Sequence, residues 1–342
     1  MIRFPTTVDE ALAAGEVVRA GGTDLSERRR LRIASGPVVD LRDLPGLDAI
    51  GPAEGGGTSI GALTKIADVA SAPRIRDGYP GLAAAAGGLA TPQIRAVGTI
   101  GGNVLQRTRC WYYRNPDARC LKKGGSHCYA RAGDHLYHSC FDLGACVSVH
   151  PSTLAAALLA YDAQAVVHGQ PPRAMTELLG DGTDPSRDNA LPEGGLLTQI
   201  LLPAPVAGER AAYFRSIARS RSEWPLVEAV VRLVVEDTTI REATVAIGAV
   251  APVPLRLPKV EAALRGKTAQ MATYREAAAL AGDGAKPLPM TGYKVGLCEA
   301  TVLETLERAH HATSTSAPVS VSAPPVPDAP DAPADPPPEV SP

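Results

Sequence analysis

Two stretches of this chain hold residue types that could do chemistry. The first is a pair of loops, Ala20-Gly21-Gly22-Thr23-Asp24-Leu25 and Thr99-Ile100-Gly101-Gly102-Asn103. A dinucleotide's pyrophosphate needs backbone N–H groups aimed at it with no side chain in the way. The first loop follows a β-type run, Glu16-Val17-Val18-Arg19, and offers two glycines for close approach, with Thr23 and Asp24 for hydroxyl contacts. The second loop could supply another such cradle. A lone Gly-Gly pair is usually a tight turn; two of them in this context make a more specific signal. Rival nucleotide motifs fail. No G-x-G-x-x-G occurs, since Ile60 stands where a third glycine would follow Gly55 and Gly57, which disfavours a Rossmann site. Gly266-Lys267-Thr268 ends like a P-loop, but Glu261 stands where the first glycine belongs, and the segment closes a helix as a C-cap.

The second stretch is cysteine-rich. Of six cysteines, five fall at Cys110, Cys120, Cys128, Cys140 and Cys146. No C-x-x-C occurs, so a zinc ribbon or knuckle is not indicated. Four thiolates on a long loop can hold a [4Fe-4S] cluster, whose ligand spacing is set by the fold. A structural zinc or buried free thiols fit the spacing as well. Residues 104–146 carry seven Arg and Lys against three Asp, a surplus that would offset an anionic cluster. Cys298 lies apart and reads as a small buried hydrophobe. His127, His135 and His138 could replace a cysteine as ligand, although surface or hydrogen-bonding roles suit them better.

The elements around these stretches are mostly short. Thr7 has capping-box spacing to Glu10 and opens a helix through Ala14. Residues 38–41 and 59–63 read as strands, and Thr64 as the cap of a helix carrying Ile66 and Val69. Residues 104–146 show little periodicity, unusual for a loop inside a compact domain without an ordering device. A helix resumes near Ser152, and residues 166–168 read as a strand. Later, residues 227–235 and 240–250 form a β-hairpin around Asp237-Thr238-Thr239. Helices follow from Pro258, over 269–280, and over 293–310 with Val295, Val302, Leu303 and Leu306 near one face. The fold class is α+β, in three parts. Residues 1–206 form a ligand-binding domain with the insertion at 104–146, residues 207–311 a small α+β domain, and residues 312–342 a disordered Pro/Ala-rich tail.

Composition limits what remains. A net charge of −2, from 34 basic and 36 acidic residues, gives no reason to expect nucleic acid or a membrane surface as partner. No apolar run suffices to span a bilayer, and no secretory signal opens the chain. A soluble protein is expected, and clustered thiols in a reducing compartment point to metal more than to disulfides.

Ala-Gly-Gly-Thr-Asp-Leu at 20–25 with Thr-Ile-Gly-Gly-Asn at 99–103 resembles the FAD-binding medium subunit, or middle domain, of the xanthine dehydrogenase family. Residues 215–228 and Ala246-Ile247-Gly248-Ala249-Val250-Ala251-Pro252-Val253-Pro254-Leu255-Arg256 resemble the C-terminal domain of those flavoproteins, so the likeness spans about residues 1–311. Asn103-Val104-Leu105-Gln106-Arg107-Thr108-Arg109-Cys110 and Cys146-Val147-Ser148-Val149-His150-Pro151-Ser152 are similar to the subgroup in periplasmic aldehyde oxidoreductases, whose insertion carries a [4Fe-4S] cluster. The resemblance implies a two-part FAD-binding domain of the vanillyl-alcohol-oxidase (PCMH) type, followed by a CO dehydrogenase flavoprotein-type domain. It implies Cys110, Cys120, Cys128 and Cys146 as cluster ligands, with Cys140 as the extra. The pyrophosphate is expected on Ala20, Gly21, Gly22, Thr23, Asp24 and Leu25, with Thr99, Gly101, Gly102 and Asn103 near the flavin or ribityl chain. Thr91, His150, Leu197 and Arg215 complete the expected contacts. The chain departs from the family at Thr153, where Asp is usual, and at Arg215, where Lys is frequent.

On this resemblance the chain relays electrons and uses no side-chain general base or nucleophile. A large partner subunit holds the molybdenum cofactor, and a small one passes electrons from [2Fe-2S] clusters to FAD here. The compartment is then cytoplasmic, or periplasmic if a partner carries the export signal. The alternatives are a stand-alone flavin oxidoreductase and a zinc-stapled, flavin-free assembly subunit.

Overall fold

Short runs of β-branched residues pair into three sheets in the computed structural model, which describes residues 1–15 and 17–315. In the first, Val38–Asp40 lies between Ile2–Arg3 and Val17–Arg19, all parallel. The second has five strands in the order Ile50–Pro52, Thr58–Gly61, Leu197–Leu202, Gln164–Val167 and Arg173–Ala174, all antiparallel. The third is an antiparallel sheet of Leu255–Arg256, Thr239–Gly248, Val227–Glu236 and Glu209–Ser216. Its hairpin turns at Asp237, whose φ of 54° is left-handed, a conformation Asp tolerates better than most residues. The α+β class and the separate C-terminal sheet agree with the sequence reading.

The helix Thr153–Ala160 joins the two large sheets. All eight of its residues are buried, as expected of a helix that is apolar all round. It packs against the helices Pro80–Gly88 and Ile100–Val104 on one side and the long C-terminal hairpin on the other. Ser152 caps it, its hydroxyl accepting from the Ala155 N–H at 3.0 Å. The helix Tyr293–His311 lies on the third sheet and buries Cys298, Val302, Leu306 and Ala309. Val295 and Leu303 flank that stripe and are only partly buried.

Some local expectations change. Thr7 caps the helix Val8–Ala13 by accepting from the Glu10 N–H, but Glu10 reaches back to Thr6 rather than to Thr7. Lys65, not Thr64, precedes the helix Ile66–Ser71, and the Thr64 hydroxyl is buried without a hydrogen-bond partner. The expected tail begins at residue 312, and its first described residues still touch the C-terminal sheet. Thr315 exchanges backbone hydrogen bonds with Gly208 and Glu209 and donates its hydroxyl to Val206 O. Glu209 opens an edge strand, and its free backbone groups accept one more segment. The rest of the expected tail, 316–342, lies outside the described residues.

Residues 104–146 contain only the short helices Trp111–Arg114 and Tyr129–Ala132 and a 3-10 turn at Leu121–Lys123. Side chains order the rest. Arg131 makes two hydrogen bonds to Asp142 and one to Gly144 O, and Lys122 is ion-paired with Asp188 at 3.0 Å.

Candidate functional site: a donor-lined cleft beside a cysteine pocket

The strand Val17–Arg19 delivers the chain into a cleft of about 500 Å³, within the size range of small-molecule and cofactor sites. Residues 20–25 all line it, with Thr91, Thr99, Gly101, Gly102, Asn103, Leu197 and Arg215. Among the described contacts, none of the N–H groups of Gly21, Gly22, Thr23, Asp24 and Leu25 donates to a protein acceptor. Five consecutive open donors on a cleft wall form an anion-binding concavity. Gly22 supports the turn with a φ of 73°. Gly21 is needed for another reason: a Cβ there would stand 2.2 Å from Val97 O, so this glycine lets backbone meet backbone.

The second loop is built differently. The N–H groups of Ile100 and Gly101 donate to Thr64 O and Ala62 O. Thr99 caps the short helix Ile100–Val104 by accepting from the Gly102 N–H, and the Asn103 N–H returns to Thr99 O. Its backbone donors are therefore spent on the fold, and it does not form a second N–H cradle. Its open polar group is the Asn103 amide nitrogen, because Ser152 donates to Asn103 Oδ1 at 2.6 Å. Thr91 likewise caps a helix, Pro92–Val97.

Asp24 also differs from expectation. Its carboxylate takes Arg114 Nη2 at 2.6 Å, Arg28 Nε at 3.0 Å, Arg109 Nη2 at 3.3 Å and the Arg107 N–H at 3.3 Å. Burial alone would raise its pKa, but Arg109, Arg114 and Arg28 outweigh that and hold it below the ordinary carboxylate value. A carboxylate with four donors has little capacity left for ligand hydroxyls. Asp24 ties the loop to the cysteine-rich insertion.

His150 does not line the cleft. It is buried behind it, its N–H donating to Ala251 O while Nδ1 accepts from the Ser152 N–H at 3.3 Å. Burial, helped by nearby Lys122, pushes its pKa down to about 4, so the ring is neutral and holds Ser152 in place. The departure at Thr153 has a partner in Glu228, whose Oε2 accepts from Thr153 Oγ1 at 2.7 Å and Tyr213 Oη at 2.9 Å. Sequence reasoning missed the rest of the wall, notably Leu63, Leu89, Ile94, Arg109 and Trp224. Arg109 stacks over Trp224 at 4.7 Å, a contact between residues far apart in sequence.

Cys110, Cys120, Cys128 and Cys146 surround one small pocket with Tyr112, Tyr113, Tyr129, Lys122 and Ser148. Cys140 is elsewhere: it is fully buried in the C-terminal core and in thiol contact with Cys298. The pocket sulfurs meet many donors. Backbone N–H groups of Tyr112 and Tyr113 point at Cys110, and those of Val147, Ala130 and Arg131 at Cys128. Cys146 meets the Ser148 hydroxyl at 3.3 Å and its N–H. Burial still pushes the Cys110 thiol up to about 11. The Cys146 thiol donates to Cys128, which lowers Cys128 and raises Cys146. Among the histidines, His138 Nε2 is 3.2 Å from Cys110 Sγ, while His135 bonds to Ala130 O, Gly133 O and the Met290 N–H. His127 packs on Tyr129.

Among the described residues no three His, Cys, Asp or Glu side chains are gathered as one metal ion requires. Four thiols, peptide N–H groups and one lysine line the pocket, a donor set that suits a thiolate-held metal group. No described helix is long and apolar enough to cross a membrane.

Residues 3–205 match the family model "FAD binding domain in molybdopterin dehydrogenase", and residues 212–309 match "CO dehydrogenase flavoprotein C-terminal domain". The chain is similar to the aldehyde oxidoreductase FAD-binding subunit PaoB of Escherichia coli (strain K12), 33% identical over 77% of this chain and 84% of that one. It also resembles the carbon monoxide dehydrogenase medium chain of Hydrogenophaga pseudoflava, 37% identical over 29% of this chain and 37% of the relative. Among solved structures, carbon monoxide dehydrogenase from Hydrogenophaga pseudoflava superposes with a TM-score of 0.70 at 25% identity, covering 90% of this chain and 96% of the other. Quinoline 2-oxidoreductase from Pseudomonas putida 86, at 19% identity and a TM-score of 0.71 over 90% and 96% of the two chains, shares the fold.

Proposed function

The chain belongs to the FAD-binding medium subunits of the xanthine dehydrogenase/CO dehydrogenase family of molybdenum hydroxylases, and from that premise we propose that it is an electron-relay subunit carrying two redox groups. FAD lies in the cleft and a [4Fe-4S] cluster in the cysteine pocket. Electrons come from [2Fe-2S] clusters of a small partner subunit and leave to an external acceptor. A large partner with the molybdenum cofactor oxidises an aldehyde or xanthine-type substrate. The observation that carries this reading is the convergence of Cys110, Cys120, Cys128 and Cys146 on one pocket, with Cys140 excluded.

FAD, when bound, exchanges electrons singly or in pairs, which suits it to join one-electron centres to other acceptors. The chain's own task is to hold and tune. The open N–H groups of Gly21 to Leu25 suit a pyrophosphate, and the apolar wall of Leu63, Leu89 and Ile94 shields a ring system from water. Arg215 adds positive charge to the same wall. In the cysteine pocket, Cys110, Cys120, Cys128 and Cys146 would hold the cluster, and the N–H groups aimed at the sulfurs would raise its potential by stabilising the added electron. Lys122, ion-paired with Asp188 at the pocket wall, works in the same direction.

Anaerobic purification with the partner subunits tests the proposal by composition. One FAD and about four irons in this chain, beyond those of the small subunit, are expected. A flavin-free preparation, or zinc in place of iron, sinks it.

A further inference from the structure

The cysteine pocket and the N–H loop are joined by a continuous set of contacts. Cys110 precedes the single helical turn Trp111–Arg114, whose last N–H, that of Arg114, donates to Cys110 O at 2.9 Å. The Tyr112 and Tyr113 N–H groups point back at the Cys110 sulfur. Arg114 at the end of this turn is buried, with Nε on Thr108 O and Nη2 on both Arg107 O and Asp24 Oδ1. Arg109, next to Cys110, reaches Glu27 at 2.6 Å and Asp24 at 3.3 Å. Asp24 and Glu27 flank the start of the helix Leu25–Arg30, directly after the open donors.

Locally the loop is held by Gly22 O, which accepts the Ser26 N–H, and by Arg28 on Asp24. Its N–H groups are unpaired, Thr23 is exposed, and Asp24 makes no side-chain cap. The carboxylate that would cap the helix is shared instead between Arg28 of that helix and the insertion's Arg107 N–H, Arg109 and Arg114. Arg28 of the same helix holds Asp24 at 3.0 Å, and the remaining side-chain hold on Asp24 and Glu27 comes from outside, from Arg109 and Arg114 on either side of Cys110.

We infer that Arg114 and Arg109 are positioning residues that couple the cysteine pocket to the cofactor cleft, so that filling the pocket tightens FAD binding. This rests on the proposed pair of cofactors. A ligated Cys110 fixes the turn, the turn fixes Arg114, and Arg114 holds residues 24–27 so that the preceding N–H groups converge. Binding to a loop that is already ordered avoids the ordering cost at the moment of association. By reciprocity, FAD in turn favours the filled pocket.

The test measures FAD dissociation constants by flavin fluorescence on the full chain, with iron counted separately. Arg114→Met and Asp24→Asn are expected to keep their iron and to weaken FAD binding about tenfold, the range of a charge-assisted hydrogen bond. Cys120→Ser, which leaves Cys110 and its turn intact, is expected to lose iron and to weaken FAD binding by a similar factor. The double variant Arg114→Met/Cys120→Ser should bind no more weakly than Cys120→Ser, because both changes cut one connection. Should Arg114→Met fail to fold, Glu27→Gln removes the charge from two partly exposed ion pairs and is expected to weaken FAD about threefold. Unchanged FAD affinity in iron-free Cys120→Ser, or fully additive effects, overturns the coupling. Wild-type chain that takes up no FAD or no iron refutes the underlying reading instead, so the two failures are distinguishable.

Discussion

Glu228 offers a sharp test of how the cleft floor is built. Its side chain is 1% exposed and receives hydroxyl hydrogen bonds from Thr153 and Tyr213 on the same oxygen. Gly248 makes room, since a Cβ there would stand 2.6 Å from Glu228 Oε1. Burial raises the Glu228 pKa above its ordinary 4.5, against the two hydroxyl donors and the charge of Arg215, which lies opposite it in the ladder. An acid whose folded pKa is raised contributes stability that is fully present below the unfolded value and lost as pH rises through the folded one. Each pH unit over which the unfolded chain is ionised and the native one is not costs about 1.4 kcal/mol. Glu228→Gln keeps an acceptor for both hydroxyls and removes the titration. Its stability relative to wild type should therefore improve steadily from pH 4.5 upward and level off above the raised pKa. Glu228→Ala leaves two buried hydroxyls without an acceptor and opens a cavity, at about 3–5 kcal/mol in total. Urea unfolding followed by circular dichroism, repeated across pH, gives both quantities. If wild type gains stability over Glu228→Gln as pH rises, the native carboxylate is ionised and held by Arg215, and the reasoning fails.

Other outcomes follow from the same contacts. Gly21→Ala drives a Cβ into Val97 O; it should cost about 1–3 kcal/mol in unfolding experiments and weaken FAD binding. Gly22→Ala, at a φ of 73°, should cost about 1–2 kcal/mol by backbone strain alone, seen as a lower urea midpoint. Thr315→Ala loses the hydroxyl contact to Val206 O and should lower stability by about 1 kcal/mol. Calorimetry of the full chain checks this last change.

Much of this was readable from the chain because special backbone needs leave marks on sequence. The loop at 20–25 stood out by its glycines, and the hairpin at 227–248 by β-branched runs around a turn. Local sequence could not show what each glycine was for. Gly21 and Gly101 face neighbouring backbone, and whether a loop's N–H groups are free depends on carbonyls from distant segments. The same limit applies to Asp24, whose carboxylate is claimed by arginines some 80 to 90 positions later. Spacing alone did not separate Cys140 from the other four cysteines. The separation comes from the C-terminal domain, where Cys298 on a distant helix receives it. The family resemblance puts His150 among the flavin contacts, whereas its ring turns inward and holds Ser152 from behind.

The central claim is that four particular thiols hold a four-iron cluster beside the flavin. Low-temperature electron paramagnetic resonance of the anaerobically reduced chain, set beside its flavin absorbance, tests it most directly. Wild type and Cys140→Ala should both show the signal of a reduced iron–sulfur cluster with bound FAD, while Cys128→Ser should lose or transform the cluster signal. A signal that is absent from wild type, or that disappears with Cys140 and survives loss of Cys128, would contradict the account.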